Sequence, residues 1–205
     1  MYGIILTSLL SLPIFPLNPA KQDTLNSMNL HITVGMASPS ELLSIGPEFT
    51  IKYEFLFEHP FLLRTGLDYR YGRMNQLKYP KGDYHGFTTS AEALYYRGTN
   101  RMTGFVGGGI IYNISSISLD SRVADSILAG ELISDVRLDN HLGYRLIFGL
   151  RRSRLWSFEL RVTDVRTKLV YQRELAPYRY SLEKQKVKLS DIRISFGYLL
   201  PLRRN

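Results

Sequence analysis

The chain has 205 residues, 44% of them hydrophobic, no Cys, and 26 Lys+Arg against 18 Asp+Glu, for a formal net charge of +8. That length suits one domain or one barrel, and the composition is too apolar and aromatic for a disordered chain. Without Cys there is no disulfide scaffold, Cys-based zinc site, thiol nucleophile or lipid-anchored N-terminal Cys. The basic excess fits nucleic acid and an anionic membrane surface alike, so the residue pattern has to choose.

Residues 1–20 contain no charged side chain, and Gly3 to Leu17 is a mostly apolar run broken by Pro13 and Pro16. A run that short, with two prolines, reads as the apolar core of a secretory signal peptide spanning residues 1–20, with cleavage near Ala20 and a linker over 21–27. A buried N-terminal segment is the alternative. No later stretch approaches the roughly 20 apolar residues of a helical membrane span.

From Met28 the sequence alternates with period two. Leu30, Ile32, Val34 and Met36 share one face with His31 and Thr33 opposite, and Phe49, Ile51, Tyr53, Phe55 and Phe57 oppose Glu48, Thr50, Lys52 and Glu54. Next, Phe61, Leu63, Leu67, Tyr69 and Tyr71 oppose Arg64, Asp68 and Arg70, and Phe87, Ala91, Ala93 and Tyr95 oppose Ser90 and Glu92. Met102–Ile114 is apolar on both faces and rich in Gly, so its phase stays open. Leu142, Tyr144, Leu146, Phe148 and Leu150 oppose His141 and Arg145; Trp156, Phe158, Leu160 and Val162 oppose Glu159 and Arg161. Beyond Thr163 the alternation slips, through either a bulge or an exit from the membrane layer. Ile192, Ile194, Phe196, Tyr198 and Leu200, opposed by Asp191, Arg193 and Ser195, complete eight strands with one apolar and one polar face.

The placement of charge decides how such strands close. None of these apolar faces carries a charged residue, although 21% of the chain is charged. The opposite faces hold Glu48, Glu54, Asp68, Glu92, Glu159 and Asp191, matched in number by Lys52, Arg64, Arg70, Arg145, Arg161 and Arg193. A soluble lipocalin-like barrel would turn its apolar face inward and has no need to balance a solvated one. A transmembrane barrel turns it to lipid and must pair the charges it encloses, and its strands run about 9–11 residues, as these do. The second reading predicts a lumen network of Glu54, Arg64, Asp68, Arg70, Glu92, Arg145, Glu159, Arg161 and Arg193.

Connections alternate between long (Ala37–Leu43, Asn75–His85, Ser115–Asn140, Gln172–Lys188) and tight (Glu58–Pro60, Gly98–Arg101, Arg151–Arg154). That is an up-and-down meander with short turns at one end, where both termini lie. Aromatic residues gather at both ends of the apolar faces, giving an expected girdle of Phe57, Phe61, Tyr71, Tyr95, Tyr144, Trp156 and Tyr198.

With "IGPEFTIKYEF", "LLRTGLDYRYGRM", "GFVGGGIIYNI" and "IRISFGYLLP" on the page, residues 28–202 resemble the small eight-stranded outer-membrane β-barrel proteins of Gram-negative bacteria. These include outer-membrane protein X and the transmembrane domain of outer-membrane protein A. The resemblance implies an all-β, antiparallel transmembrane barrel over 28–202 with a tail at 203–205. It also implies an outer-membrane location among lipid and lipopolysaccharide, and handling by the barrel-assembly machinery. Ser195–Leu202 is similar to the polar-x-Gly-x-x-apolar-x-apolar signal read by that machinery, though Arg203-Arg204-Asn205 replaces the usual terminal aromatic.

An eight-stranded lumen is just wide enough for side chains, so a charge-filled one predicts a closed, rigid barrel without a solute pore, enzymatic site or cofactor. The histidines are His31, His59, His85 and His141, and no sequence-local Ser/His/Asp arrangement, metal-ligand spacing, P-loop or dinucleotide fingerprint accompanies them. The long loops form the expected working surface. Val123, Ile127, Leu128 and Leu132 suit a short amphipathic helix or a hairpin extending the neighbouring strands. Arg173, Tyr178, Arg179 and Lys184 are candidate contacts for lipopolysaccharide phosphates or an acidic partner. The leading expectation is a non-enzymatic integral barrel presenting loops. Alternatives are an accessory subunit of a secretion or envelope complex, a lipid-modifying enzyme and a soluble ligand binder; nucleic acid is not an expected partner of an exported chain.

Overall fold

A computed structural model of the chain describes residues 28–56, 60–74, 82–99, 102–119, 132–152, 155–176 and 179–203. The described residues form ten strands, two more than the eight expected: β1 (Met28–Ala37), β2 (Gly46–Leu56), β3 (Phe61–Arg73), β4 (Gly82–Gly98), β5 (Met102–Leu119), β6 (Leu132–Leu138), β7 (His141–Arg152), β8 (Trp156–Ala176), β9 (Arg179–Lys188) and β10 (Asp191–Arg203). Eight of them, β1–β5, β7, β8 and β10, pair antiparallel in that order, and β10 joins both β8 and β1. Closure leaves the barrel without a free edge, which an antiparallel sheet in lipid requires because no water is there to satisfy one. Met28 pairs with Arg203, so both chain ends of the barrel lie at the short-turn end.

Alternate side chains point out and in. Val34, Phe49, Tyr53, Leu63, Leu67, Ile110, Leu146 and Phe196 are exposed on the outer face, while Lys52, Glu54, Arg64, Asp68, Arg145, Glu159 and Arg161 are at most 1% exposed. A closed barrel with apolar residues outside and charges inside overturns the soluble lipocalin-like alternative. The open phase of β5 resolves the same way: Phe105, Ile111 and Asn113 point in, and Val106, Ile110, Tyr112 and Ile114 point out. Glycine on the inward face of the neighbouring β7 has a packing reason. A Cβ at Gly149 would run into the Phe105 ring, which lies across that position.

Two stretches expected as connections contain strands. β9 lies within Gln172–Lys188 and pairs with β8; β6 lies within Ser115–Asn140 and also pairs with β8 rather than extending a hairpin from β5. The slip beyond Thr163 is an exit and not a bulge, since the β7–β8 ladder passes from Trp156 to Val165 without a register shift. What changes there is the chemistry of each face. Inward positions go from Ser157, Glu159, Arg161 and Thr163 to Val165, Thr167 and Leu169, while outward positions go from Trp156–Val162 to Asp164, Arg166 and Lys168. Above the rim the strand thus has an ordinary soluble polarity. Its inner face joins Leu42, Leu43, Met74, Tyr84, Ile111, Val136, Leu138, Val187 and Leu189 in an apolar cluster at the long-loop end. The N-terminal segment 1–27, Phe57, His59, Val123, Ile127, Leu128, Tyr178 and residues 204–205 lie outside the described residues.

Candidate functional site

The inward faces of the strands bring the charged residues into one connected chain along the barrel. At the short-turn end Arg151 Nη2 donates to both oxygens of Glu54, at 2.7 and 3.0 Å. Glu54 lies 3.7 Å from Arg64 Nη1, and Arg64 makes two parallel bonds to Glu159, at 2.5 and 3.2 Å, and a third from Nε to Glu92, at 2.6 Å. Glu92 also accepts from Lys52 Nζ at 2.6 Å and Arg145 Nη1 at 2.9 Å. Arg145 reaches Asp68 at 2.6 Å, and Asp68 lies 3.4 Å from Arg161. Arg161 and Arg193 approach Glu48 at 3.0 and 3.2 Å; Arg193 pairs with Asp191, and Asp191 with Arg70.

The topology explains why these pairs seal the lumen. In the order of the barrel, β3 and β8 stand diametrically opposite. Arg64 on β3 to Glu159 on β8, and Arg161 on β8 to Asp68 on β3, therefore cross the full lumen. Desolvated ions of this kind are tolerable only when paired, which the shared carboxylates provide, although Arg145 Nε and Nη2 and Arg161 Nε are buried without a hydrogen-bond partner. Glu54, Arg64, Asp68, Arg70, Glu92, Arg145, Glu159, Arg161 and Arg193 all belong to this network, extended by Glu48, Lys52, Asp191 and Arg151.

Two further groups join the network: Arg151, which the sequence reading places in a turn, and His31, which it places on the polar face of the first strand without a role. Arg151, assigned to a turn, continues the inward series Arg145, Ile147, Gly149 because β7 runs on to Arg152. His31, on the polar face of β1, is fully buried, with Nε2 2.5 Å from Ser157 Oγ and Nδ1 3.5 Å from both Glu54 and Glu159. Ser, His and Glu thus meet with nucleophile–base–orienter connectivity. Arg64 Nη1 also lies 3.2 Å from Nδ1. A guanidinium only donates, so a bond between the two leaves Nε2 as the donor to Ser157, the reverse of the arrangement that activates a serine. Elsewhere, His85 Nδ1 bonds the Tyr69 hydroxyl at 2.8 Å and His141 Nδ1 lies 3.2 Å from the Asp139 carbonyl.

Aromatic residues pair across strands at both ends of the apolar belt. Phe61 meets Tyr95 edge-on at 5.8 Å and Trp156 meets Tyr198 at 5.2 Å at the short-turn end. Tyr71 packs on His85 at 5.4 Å, and Tyr144 is exposed, at the opposite end. Of the candidate loop contacts, Lys184 is exposed on β9, and Arg173 and Arg179 lie in β8 and β9.

No family model and no curated protein matches the chain. Solved structures do. The outer membrane protein OprG from Pseudomonas aeruginosa is similar over 85% of this chain and 95% of its own, with 16% identity and a TM-score of 0.61. The fold is that of the small eight-stranded outer-membrane barrels. The outer membrane protein W of E. coli (16% identity, 87% of this chain and 100% of that one, TM-score 0.49) is a further structure of this kind. So is the outer membrane enzyme PagL (13% identity, 85% and 99%, TM-score 0.41). The fold by itself assigns no activity.

Proposed function

We propose that this barrel is a non-enzymatic integral protein of the Gram-negative outer membrane, with a lumen closed to solutes and a working surface at the long-loop end. The observation that carries the reading is the lumen-spanning pairing of Arg64 with Glu159, inside a network whose members are almost wholly buried. Supporting it, apolar side chains fill more of the interior: the cluster around Leu42 and Leu43 at the long-loop end, and Leu62, Leu94, Phe105 and Ile147 beside the network toward the short-turn end. The non-enzymatic part of the reading rests on the Arg64 guanidinium that faces His31 Nδ1 at 3.2 Å and favours an Nε2 that donates to Ser157. Outer-leaflet lipid and lipopolysaccharide are the proposed surroundings. β10, which closes the barrel against β1 and β8, carries the segment proposed to be read by the barrel-assembly machinery, and residues 1–20 are the proposed export signal.

The test is conductance. Purified protein in planar bilayers is expected to give no stable single-channel steps in 1 M KCl, and proteoliposomes are expected not to swell in arabinose. Steps that persist across preparations would overturn the closed-lumen reading.

A further inference from the structure

Where β8 leaves the barrel its outward face becomes basic, and β9 doubles the charge. In the β8–β9 register Arg166 stands opposite Lys188 and Lys168 opposite Lys186, with Lys184 on the next rung beside Val170. All of these basic side chains are exposed, Arg166 and Lys188 by 82% and 57%. Like charges set directly across two strands repel, so two such rungs in succession are a costly arrangement unless an anion lies over them. Arg166, Lys168, Lys186 and Lys188, together with Glu41 and His141, line a groove of about 430 Å³. Among the described side chains, the two acids at the groove are already engaged. Asp164 lies 3.9 Å from both Arg166 and Lys188 and accepts from Ser190, and Glu41 accepts the Lys188 backbone N–H at 3.2 Å.

The height of the groove selects its ligand. Arg166 and Lys168 share a face of β8 with Trp156, Phe158, Leu160 and Val162, the strip that meets lipid. Arg166 stands four residues beyond Val162, about 13 Å of strand at about 3.3 Å per residue. With a strand tilt of about 35–45°, that is roughly 10 Å above Val162, beside the outward Tyr144 of the upper aromatic girdle and so at headgroup depth. We propose that this groove binds the phosphorylated saccharide headgroup of an outer-leaflet glycolipid, with Arg166, Lys168, Lys186 and Lys188 holding its phosphates. The inference rests on the outward face of β8 meeting the membrane, and it gives the long-loop end a specific lipid ligand.

The test is native mass spectrometry of the full barrel in detergent, titrated with bis-phosphorylated lipid A, fully dephosphorylated lipid A and the soluble deacylated bis-phosphorylated disaccharide. Lys168→Gln/Lys186→Gln is expected to weaken binding of bis-phosphorylated lipid A on the order of tenfold or more, as the loss of two charge-assisted contacts implies. Arg152→Gln, at the short-turn end, is expected to leave it unchanged. Heat-modifiable migration establishes that each variant folds, and the weakening of wild-type binding by added salt gives a reading that needs no variant. Equal affinity of wild type for dephosphorylated lipid A, or no difference between wild type and the double variant, would overturn the site. Binding of the free disaccharide as tightly as lipid A would overturn the membrane source. Loss of the lipid-facing assignment of β8 would instead be seen as absent quenching of its Trp156, 61% exposed, by brominated acyl chains, independently of any phosphate dependence.

Discussion

Arg161 and Arg193 stand directly opposite each other across β8 and β10, two guanidinium groups on facing positions inside the barrel. One oxygen of Glu48 holds both, at 3.0 Å from Arg161 and 3.2 Å from Arg193. That oxygen bridges the two cations, while Asp191 beside Arg193 and Asp68 beside Arg161 each hold one of them. Glu48→Gln is expected to cost about 1–3 kcal/mol, because it removes the one carboxylate the two buried like charges share while each keeps a second acid. Arg193→Met in the same chain is expected to recover part of that loss. Urea unfolding in lipid vesicles, arranged as a double-mutant cycle, reads the coupling; strictly additive losses would mean the three groups act independently.

The two faces of β7 give the most direct check on orientation. Leu146 is 57% exposed and Ile147 is fully buried. In a Trp156→Phe background, Leu146→Trp is expected to be quenched by brominated acyl chains and Ile147→Trp is not. Leu146→Arg, in the middle of the lipid-facing strip, is expected to destabilise the barrel in bilayers by about 2–4 kcal/mol. Equal quenching at 146 and 147 would remove the lipid-facing assignment.

Gly149 and Phe105 test the packing of the lumen at its short-turn end. Gly149→Ala drives a methyl group into the Phe105 ring and is expected to cost about 1–3 kcal/mol, as overpacking does. Adding Phe105→Leu makes room and is expected to restore most of the loss. If the second change only adds to the damage, the ring is not what excludes the methyl.

The β8–β9 ribbon is held by its inner face, where Val187 is 4% exposed in the upper apolar cluster. Val187→Asp buries an unpaired carboxylate there, so the ribbon is expected to detach while the barrel persists. Trypsin should then cleave rapidly within residues 173–188, with heat-modifiable migration unchanged. A variant that lost the folded barrel altogether would show that ribbon and barrel form one cooperative unit.

The sequence by itself determined the class of fold and the contents of each face. Alternation is a local property, since successive Cβ atoms point to opposite sides of any strand, so Glu92 and Arg145 could be assigned inward and Leu146 outward without knowing a single neighbour. The lateral order of the strands was legible too, because short turns and long connections alternate along the chain. Only the tertiary structure decided which charges meet. Arg64 finds Glu159 across the lumen because closure sets β3 opposite β8, and the stagger of the closed sheet, which no local pattern encodes, fixes their heights. The same reason hid β9. Lys184, Lys186 and Lys188 alternate with Gln185 and Val187, a pattern that reads as a solvated loop until β8 overshoots the rim and offers it a hydrogen-bonding edge above an apolar floor. A strand's polarity can be read along the chain; its partner, and therefore its existence as a strand, depends on where the rest of the barrel puts an edge.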